Sequence, residues 1–326
     1  MEMEVNRSSQ ICNFNNRKDM RMNDEDRLSG LLEPLLHHIL SFMEMKEVVH
    51  TSLISKRWRY LWTSVRDLNF NASLWRFEED DYELEREKFT YFVDTVLLLR
   101  DGSDVHSLSL DFSSQSDNDY TRVDRWIAYA VRRHVQLLEF YRVDIPSARS
   151  FYLCGHVNTL ELCGGSIPCD SKNELVLDFP GVENLTIDSC EHLGILLLII
   201  SGPKLKFLKL SHFFHEHNYK TAVNICAPNL LELICKGYMY KDYLLENLST
   251  LVTAEVDTQT LFPDCIPAPE EEVDTLTHFP DSLPTPEALF VRCVSKILQG
   301  LGNIRSLIIS AYAFQVCILS PPFLIE

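Results

Sequence analysis

One spacing recurs along this chain and limits its possible folds more than any other feature. An apolar residue is followed three and five positions later by two more, eight times between residues 105 and 309. The units are Val105/Leu108/Leu110, Val135/Leu138/Phe140, Val157/Leu160/Leu162, Val182/Leu185/Ile187, Leu205/Leu208/Leu210, Leu230/Leu233/Cys235, Leu251/Ala254/Val256 and Ile304/Leu307/Ile309. Alternation within a unit describes a short strand with one buried face. A single unit leaves apolar surface on both sides, so stacking alone can bury it, and a curved solenoid is expected.

The first positions are 30, 22, 25, 23, 25, 21 and 53 residues apart, and all but the first and last gaps match the roughly 20–29 residues of leucine-rich repeats. Val182 to Leu193 fits L-x-x-L-x-L-x-x-C-x-x-L, with Cys190 where the repeat needs a small turn residue. Pro180, Pro203 and Pro228 precede units and punctuate the return from the convex to the concave side. The expected fold is α/β: a solenoid with one β-strand plus a helix or irregular segment per repeat. If the third and fifth residues face the core, the fourth and sixth line the concave surface. The charged ones there are Asp111, Glu139, Glu161, Asp188, Glu255 and Asp257, against Lys209 and Lys236. That face is expected either to select a basic target segment or merely to share the acidity of the whole chain.

Residues 26 to 67 read DRLSGLLEPLLHHILSFMEMKEVVHTSLISKRWRYLWTSVRD. Leu35, Leu36, Ile39, Leu40 and Met43 form a stripe at helical spacing. Pro34 stands near the start of that helix, where its missing N–H costs nothing. Val48, Val49, Ser52 and Leu53 form a second stripe, and Trp58, Leu61 and Trp62 a third, opposite Lys56, Arg57 and Arg59. About forty residues rarely close a core unaided. This stretch has neither cysteine nor a metal-ligand set, so it calls for a partner.

Asp26-Arg27-Leu28-Ser29, Leu35-Leu36, Ile39-Leu40-Ser41-Phe42, Thr51-Ser52 and Ser55-Lys56-Arg57-Trp58-Arg59 with Leu61-Trp62 resemble an F-box of the plant F-box/leucine-rich-repeat (FBD-like) family. Two stretches depart from it. The usual Leu-Pro-Asp is replaced by Leu31-Leu32-Glu33, with the proline displaced to Pro34, and the usual Leu-Pro-Thr-Lys by Met43-Glu44-Met45-Lys46. The resemblance implies a substrate receptor of an SCF-type cullin–RING ubiquitin ligase. Its F-box would bind a Skp-family adaptor, and through it the cullin and RING subunit, while the repeats bind a protein substrate. The implied adaptor-binding residues are Leu31, Leu35, Leu36, Ile39, Leu40, Val48, Leu53, Trp58 and Leu61, some packing the helices together and others meeting the adaptor. The implied target-binding residues are Asp111, Glu139, Glu161, Asp188, Lys209, Lys236 and Glu255. Such a receptor performs no bond chemistry and needs no cofactor; it raises the effective concentration of a target. Two other readings fit the same residues: a repeat scaffold uncoupled from ubiquitination, and a solenoid enclosing a small ligand.

The rest of the chain narrows the class. A net charge of −17 repels a phosphate backbone, so no nucleic-acid partner is expected. The longest aliphatic run, Leu193 to Ile200, is far short of the roughly twenty residues of a membrane span. The first residues carry acids where a secretory signal has a basic region. An intracellular protein of the nucleus or cytoplasm is expected, with no membrane partner. The 10 cysteines are scattered without a C-x-x-C pair and read as reduced and structural. No phosphate-cradling, nucleophile-elbow or zinc-protease motif occurs. The one imidazole group, His212, His215 and His217, lacks neighbouring Cys or Asp, so no metal is expected.

The expected domains are a mobile tail (1–24), the F-box (25–70), a helical connector (71–104) and the repeat domain (105–326). A strand is expected at Val65 to Phe70 and helices over Glu78 to Leu97 and Tyr120 to His134. An acidic, Pro-rich loop is expected near 257–286, and a helix from Glu287 to Leu298. The apolar ending AFQVCILSPPFLIE suits either a truncated form or a partner that covers it, since a solenoid wants a polar cap.

Overall fold

The computed structural model describes residues 30–75, 82–112, 120–145, 155–190, 195–211, 221–238, 242–259, 294–298, 300–301 and 304–310. The expected tail, the His212–His217 loop, nearly all of the acidic loop and the apolar ending lie outside them.

The chain begins with helices α1 (Glu33–Leu40) and α2 (Met45–His50), then 3-10 turns at Thr51–Leu53 and Trp58–Ser64. Strand β1 (Asp67–Asn71) follows, then helix α3 (Tyr82–Leu99), β2 (Ser107–Asp111), α4 (Tyr120–Arg132) and β3 (Leu137–Tyr141). The strands that follow are β4 (Thr159–Cys163), β5 (Glu174–Asp178), β6 (Asn184–Asp188), β7 (Leu197–Ser201), β8 (Phe207–Ser211), β9 (Ala222–Cys226), β10 (Glu232–Tyr238), β11 (Asp242–Glu246), β12 (Thr253–Gln259) and β13 (Ser306–Ile309).

The recurring template becomes one nine-stranded parallel sheet in the order β1-β2-β3-β4-β6-β8-β10-β12-β13. Pairing is in register, so the third residues of successive units form one row from Leu108 and Leu138 to Ala254 and Leu307. In the first seven units all three template residues are buried. The eighth lies at the sheet edge, where Leu307 and Ile308 stay exposed. One unit escaped the spacing analysis. Val65, Leu68 and Phe70 satisfy the same template, are buried, and pair in register with Leu108 and Leu110.

Behind the middle of this sheet lies a second one, four parallel strands in the order β11-β9-β7-β5. It takes the place of the helix or irregular segment expected in each of these repeats. Leu175, Leu177, Leu198, Ile200, Val223, Ile225 and Tyr243 are its buried side. Helices back the other end. Phe89, Val93, Val96 and Leu97 of α3 are buried, as are Val123, Trp126, Ile127 and Ala130 of α4. Trp126 Nε1 donates to Asp94 Oδ1 at 2.7 Å, joining the two helices. Of the helix expected to end at Leu298, one helical turn over 294–298 is described, with Val294 and Ile297 buried.

Arg142, Gly164 and Ser189 leave β3, β4 and β6 with φ of 57°, 70° and 54°. Each N–H donates to the last residue of the next main-sheet strand, at 2.6, 2.9 and 2.9 Å. A left-handed residue at this repeat position thus turns the chain off the sheet while keeping the ladder closed. Gly165 is required for space: a Cβ there would sit 2.0 Å from the carbonyl oxygen of Val143. Cys190 is a buried residue rather than a turn residue, and its thiol donates to the carbonyl of Leu162 at 3.3 Å.

Candidate protein-docking surfaces

Helix α1 starts at Leu32, an extended residue without a side-chain cap, and Pro34 occupies its first turn. The helix turns Leu36 and Leu40 inward, where they are buried with Met45, Val48, Trp58 and Leu61. Of the nine residues implied for adaptor binding, some packing the helices and others meeting the adaptor, five fall on the packing side. Leu36, Leu40, Val48, Trp58 and Leu61 are buried in the chain's own core. Leu31 packs partly on that core. The other three face outward, with Leu35 at 49%, Ile39 at 40% and Leu53 at 84% of full exposure.

Sequence reasoning missed four further apolar residues on the same domain: Leu32, Phe42, Ile54 and Tyr60 are all exposed. Leu32, Leu35, Ile39 and Phe42 follow the spacing i, i+3, i+7, i+10, one line along α1 and its flanks. A stripe this wide has one half covered by its own domain and one half open. Hydrogen bonds hold the scaffold beneath it. Arg57 Nη2 donates to Leu31 O at 2.5 Å, and Ser64 Oγ lies 3.4 Å from His37 Nε2. Lys46 Nζ donates to Leu74 O at 2.5 Å and lies 4.4 Å from the centre of the Trp75 ring. The cations Lys56, Arg57 and Arg59, which flank Trp58, are exposed as well.

The face of the main sheet opposite its core carries the fourth- and sixth-position residues, as alternation requires. Three cations on or beside it are already engaged: Lys209 with Asp188 at 2.8 Å, Lys236 with Glu255 at 2.7 Å, and Arg142 with Asp111. Asp111, Asp188, Lys209, Lys236 and Glu255 are therefore tied into internal ion pairs. Glu139 and Glu161 stand directly opposite each other on β3 and β4. Neither faces a cation among the described residues. Glu139 is approached by the Ser109 hydroxyl, and Tyr141 donates to Glu161 Oε2 at 3.3 Å.

The electrostatics follow this layout. Burial, then the Glu161 charge, raises the pKa of Glu139. Burial likewise raises that of Asp111 despite Arg142, and that of Glu44, which reaches Asn69 and Asn71 on β1. Burial opposes ionisation of Asp188 too, but hydrogen bonds from Lys209 and Ser189 hold its pKa below the usual value. Burial pushes the Cys163 thiol up to about 11 and those of Cys190 and Cys235 up to about 12. Among the described residues the cysteines are free, no three side chains are grouped to hold a metal, and no helix is long and apolar enough to cross a membrane.

The F-box domain family matches residues 28–70. The F-box/LRR-repeat protein At3g58900 of Arabidopsis thaliana is 30% identical over 268 residues, which cover 71% of this chain and 79% of that protein. The F-box/LRR-repeat protein At3g59200 of the same plant is 30% identical over 262 residues, covering 71% and 49%. The FBD-associated F-box protein At3g52670, also of that plant, is 29% identical over 257 residues, covering 71% and 59%. The chain thus spans from about half to about four-fifths of the length of these curated relatives.

Proposed function

Because the chain belongs to the F-box/LRR-repeat family, we propose that it is the substrate-recognition subunit of an SCF-type cullin–RING ubiquitin ligase. The observation that carries this reading is the exposed apolar line Leu32, Leu35, Ile39 and Phe42, with Leu53, Ile54 and Tyr60, on the domain that matches the F-box. Contiguous apolar surface of this kind on a soluble chain marks an interaction site. A Skp-family adaptor covers it, and through the adaptor the chain joins a cullin and a RING subunit. The open face of the main sheet holds the target. The receptor forms and breaks no bonds; it places the target close to a ubiquitin-charged conjugating enzyme.

Gel filtration of the purified chain mixed with recombinant Skp-family adaptor tests the assignment. A one-to-one complex is expected with the wild type. It is lost in Ile39→Asp, which puts an unpaired charge into the covered surface. A wild-type chain that elutes apart from the adaptor refutes the assignment and favours a repeat scaffold uncoupled from ubiquitination.

A further inference from the structure

The main-sheet face holds a run of chemistry that changes character along the strand order. At β3 and β4 stand Glu139 and Glu161, opposed in register. Like charges directly opposite on neighbouring strands repel, and among the described residues no cation relieves this pair. Beside them Ser109 and Tyr141 supply hydrogen-bond donors. Beyond Glu161 the face of β4 and β6 carries Thr159, Cys163, Asn184 and Thr186, with Asn184 Nδ2 donating to Thr159 Oγ1 at 3.1 Å, and the carboxylate of Asp188. At β8 and β10 Phe207 and Ile234 are partly exposed on the diagonal, with Glu232 opposite Phe207 and Lys209 opposite Ile234. Lys209 is held by Asp188 and Lys236 by Glu255, each on a neighbouring strand, so this part of the face is paired within the sheet rather than with Glu139 or Glu161.

The two carboxylates on β3 and β4 and the diagonal Phe207/Ile234 pair on β8 and β10 give the docking surface two chemically different ends. From the middle of the Glu139/Glu161 pair to the middle of the Phe207/Ile234 pair is three strand spacings, about 14 Å at ~4.8 Å each. An extended peptide covers that distance in about four residues at ~3.3 Å per residue. The geometry points to a target segment that crosses the strands in extended form, with a Lys or Arg between Glu139 and Glu161 and an apolar side chain four or five residues away on Phe207 and Ile234. This rests on the receptor reading in taking the occupant to be a protein. Charge complementarity chooses its sign: the segment supplies the cation that the face lacks, and in doing so removes the repulsion between the two glutamates.

Selection of a random linear peptide library on the full chain, in complex with its adaptor where expression requires it, tests the inference. Enriched peptides are expected to share a Lys or Arg and an apolar residue at that separation. One of them, synthesised with a fluorophore, is then titrated by polarisation against the wild type, Glu139→Gln/Glu161→Gln and Ile234→Ser. The glutamine double variant is expected to lose about tenfold or more in affinity and most of its salt dependence. Ile234→Ser weakens binding but keeps the salt dependence. A thermal melt checks that both variants fold. The inference is overturned if no peptide is enriched, if enriched peptides lack the basic residue, or if the double variant binds unchanged. It is equally overturned if sedimentation shows that a second copy of the chain fills the face, as a concentration-dependent dimer abolished by the double variant. Adaptor binding is read on the same proteins. Its loss in the wild type sinks the ligase assignment but not the peptide result, and a failed selection with intact adaptor binding does the reverse.

Discussion

Replacing Leu35 and Leu53 together by alanine separates the surface of the F-box from its interior. Full burial of a leucine contributes about 1.5–3 kcal/mol. Scaled by the exposed fractions, 84% at Leu53 and 49% at Leu35, the pair offers an adaptor about 2–4 kcal/mol in total. Alanine keeps the β-carbon, so the lower half of that range applies, a loss of about 30- to 150-fold in affinity. The variant's own stability should change by less than about 0.5 kcal/mol, because nothing in the core is touched. The matched control is Leu36→Ala/Leu40→Ala, at two positions with no exposed surface. Each of those substitutions costs about 2–5 kcal/mol of stability through lost contacts and a cavity. Together they consume much of the roughly 5–15 kcal/mol that holds a domain folded. Calorimetric titration with recombinant adaptor gives the affinities, and urea unfolding followed by tryptophan emission gives the stabilities. An exposed pair that binds the adaptor as the wild type does, or that loses stability like the buried pair, refutes the division drawn between the two halves of the stripe.

Phe70→Ala should cost about 3–5 kcal/mol, since its ring is buried in β1 and meets Phe92 of α3 edge-on at 6.1 Å. Tryptophan emission and far-ultraviolet circular dichroism should then shift together; separate transitions would mean that the F-box folds independently of the sheet. Glu139→Gln should raise the melting temperature at neutral pH and make no difference near pH 4. The folded pKa of Glu139 lies above its unfolded value, so its ionised form destabilises the fold at neutral pH. That cost disappears as pH falls from the folded pKa toward the unfolded one. A melting temperature unchanged at pH 7 counts against the repulsion. Gly165→Ala should destabilise the chain by about 1–3 kcal/mol or more, because its Cβ would collide with the carbonyl of Val143; a wild-type melting curve would show that the turn relaxes freely.

What the chain reveals in advance depends on which interactions are local. Eight repeat units were legible because each needs only its own alternation, and stacking similar units leaves one parallel arrangement. Val65, Leu68 and Phe70 obey the same rule but escaped notice, since α3 and its flanks separate them from the next unit and upset the period. The second sheet was also hidden. Leu198 and Ile200 sit in a continuous aliphatic run, where a strand cannot be told from other buried structure. Helical periodicity located the apolar stripe of α1 but not the half its neighbours cover, which depends on where Trp58 and Leu61 pack. The ion pair of Asp111 was illegible for a different reason. Arg142 follows its strand, and a left-handed φ of 57° returns its guanidinium to the preceding repeat.

The junction between the F-box and the repeat sheet bears on how the chain would work as the proposed substrate receptor. The F-box match ends at residue 70, inside β1, which is also the first strand of the repeat sheet. Just two residues, Val65 and Arg66, separate the Trp58–Ser64 turn from that strand, and Val65 is buried. The far end of α3 is fastened to the same point. Asp101 N–H donates to Thr63 O at 3.2 Å, and the guanidinium of Arg100 donates to Val65 O. The buried residues of the F-box belong to one continuous core with those of the sheet. A flexible linker would let a bound target sample many positions and dilute its presence near the conjugating enzyme. A junction packed in this way fixes the direction from the apolar line on α1 to the sheet face. On the ligase role proposed above, effective concentration would rise for a target lysine lying along that direction and fall toward zero for one that does not. Selectivity among lysines of one target would accordingly be set by β1 and its packing as much as by the residues that touch the target.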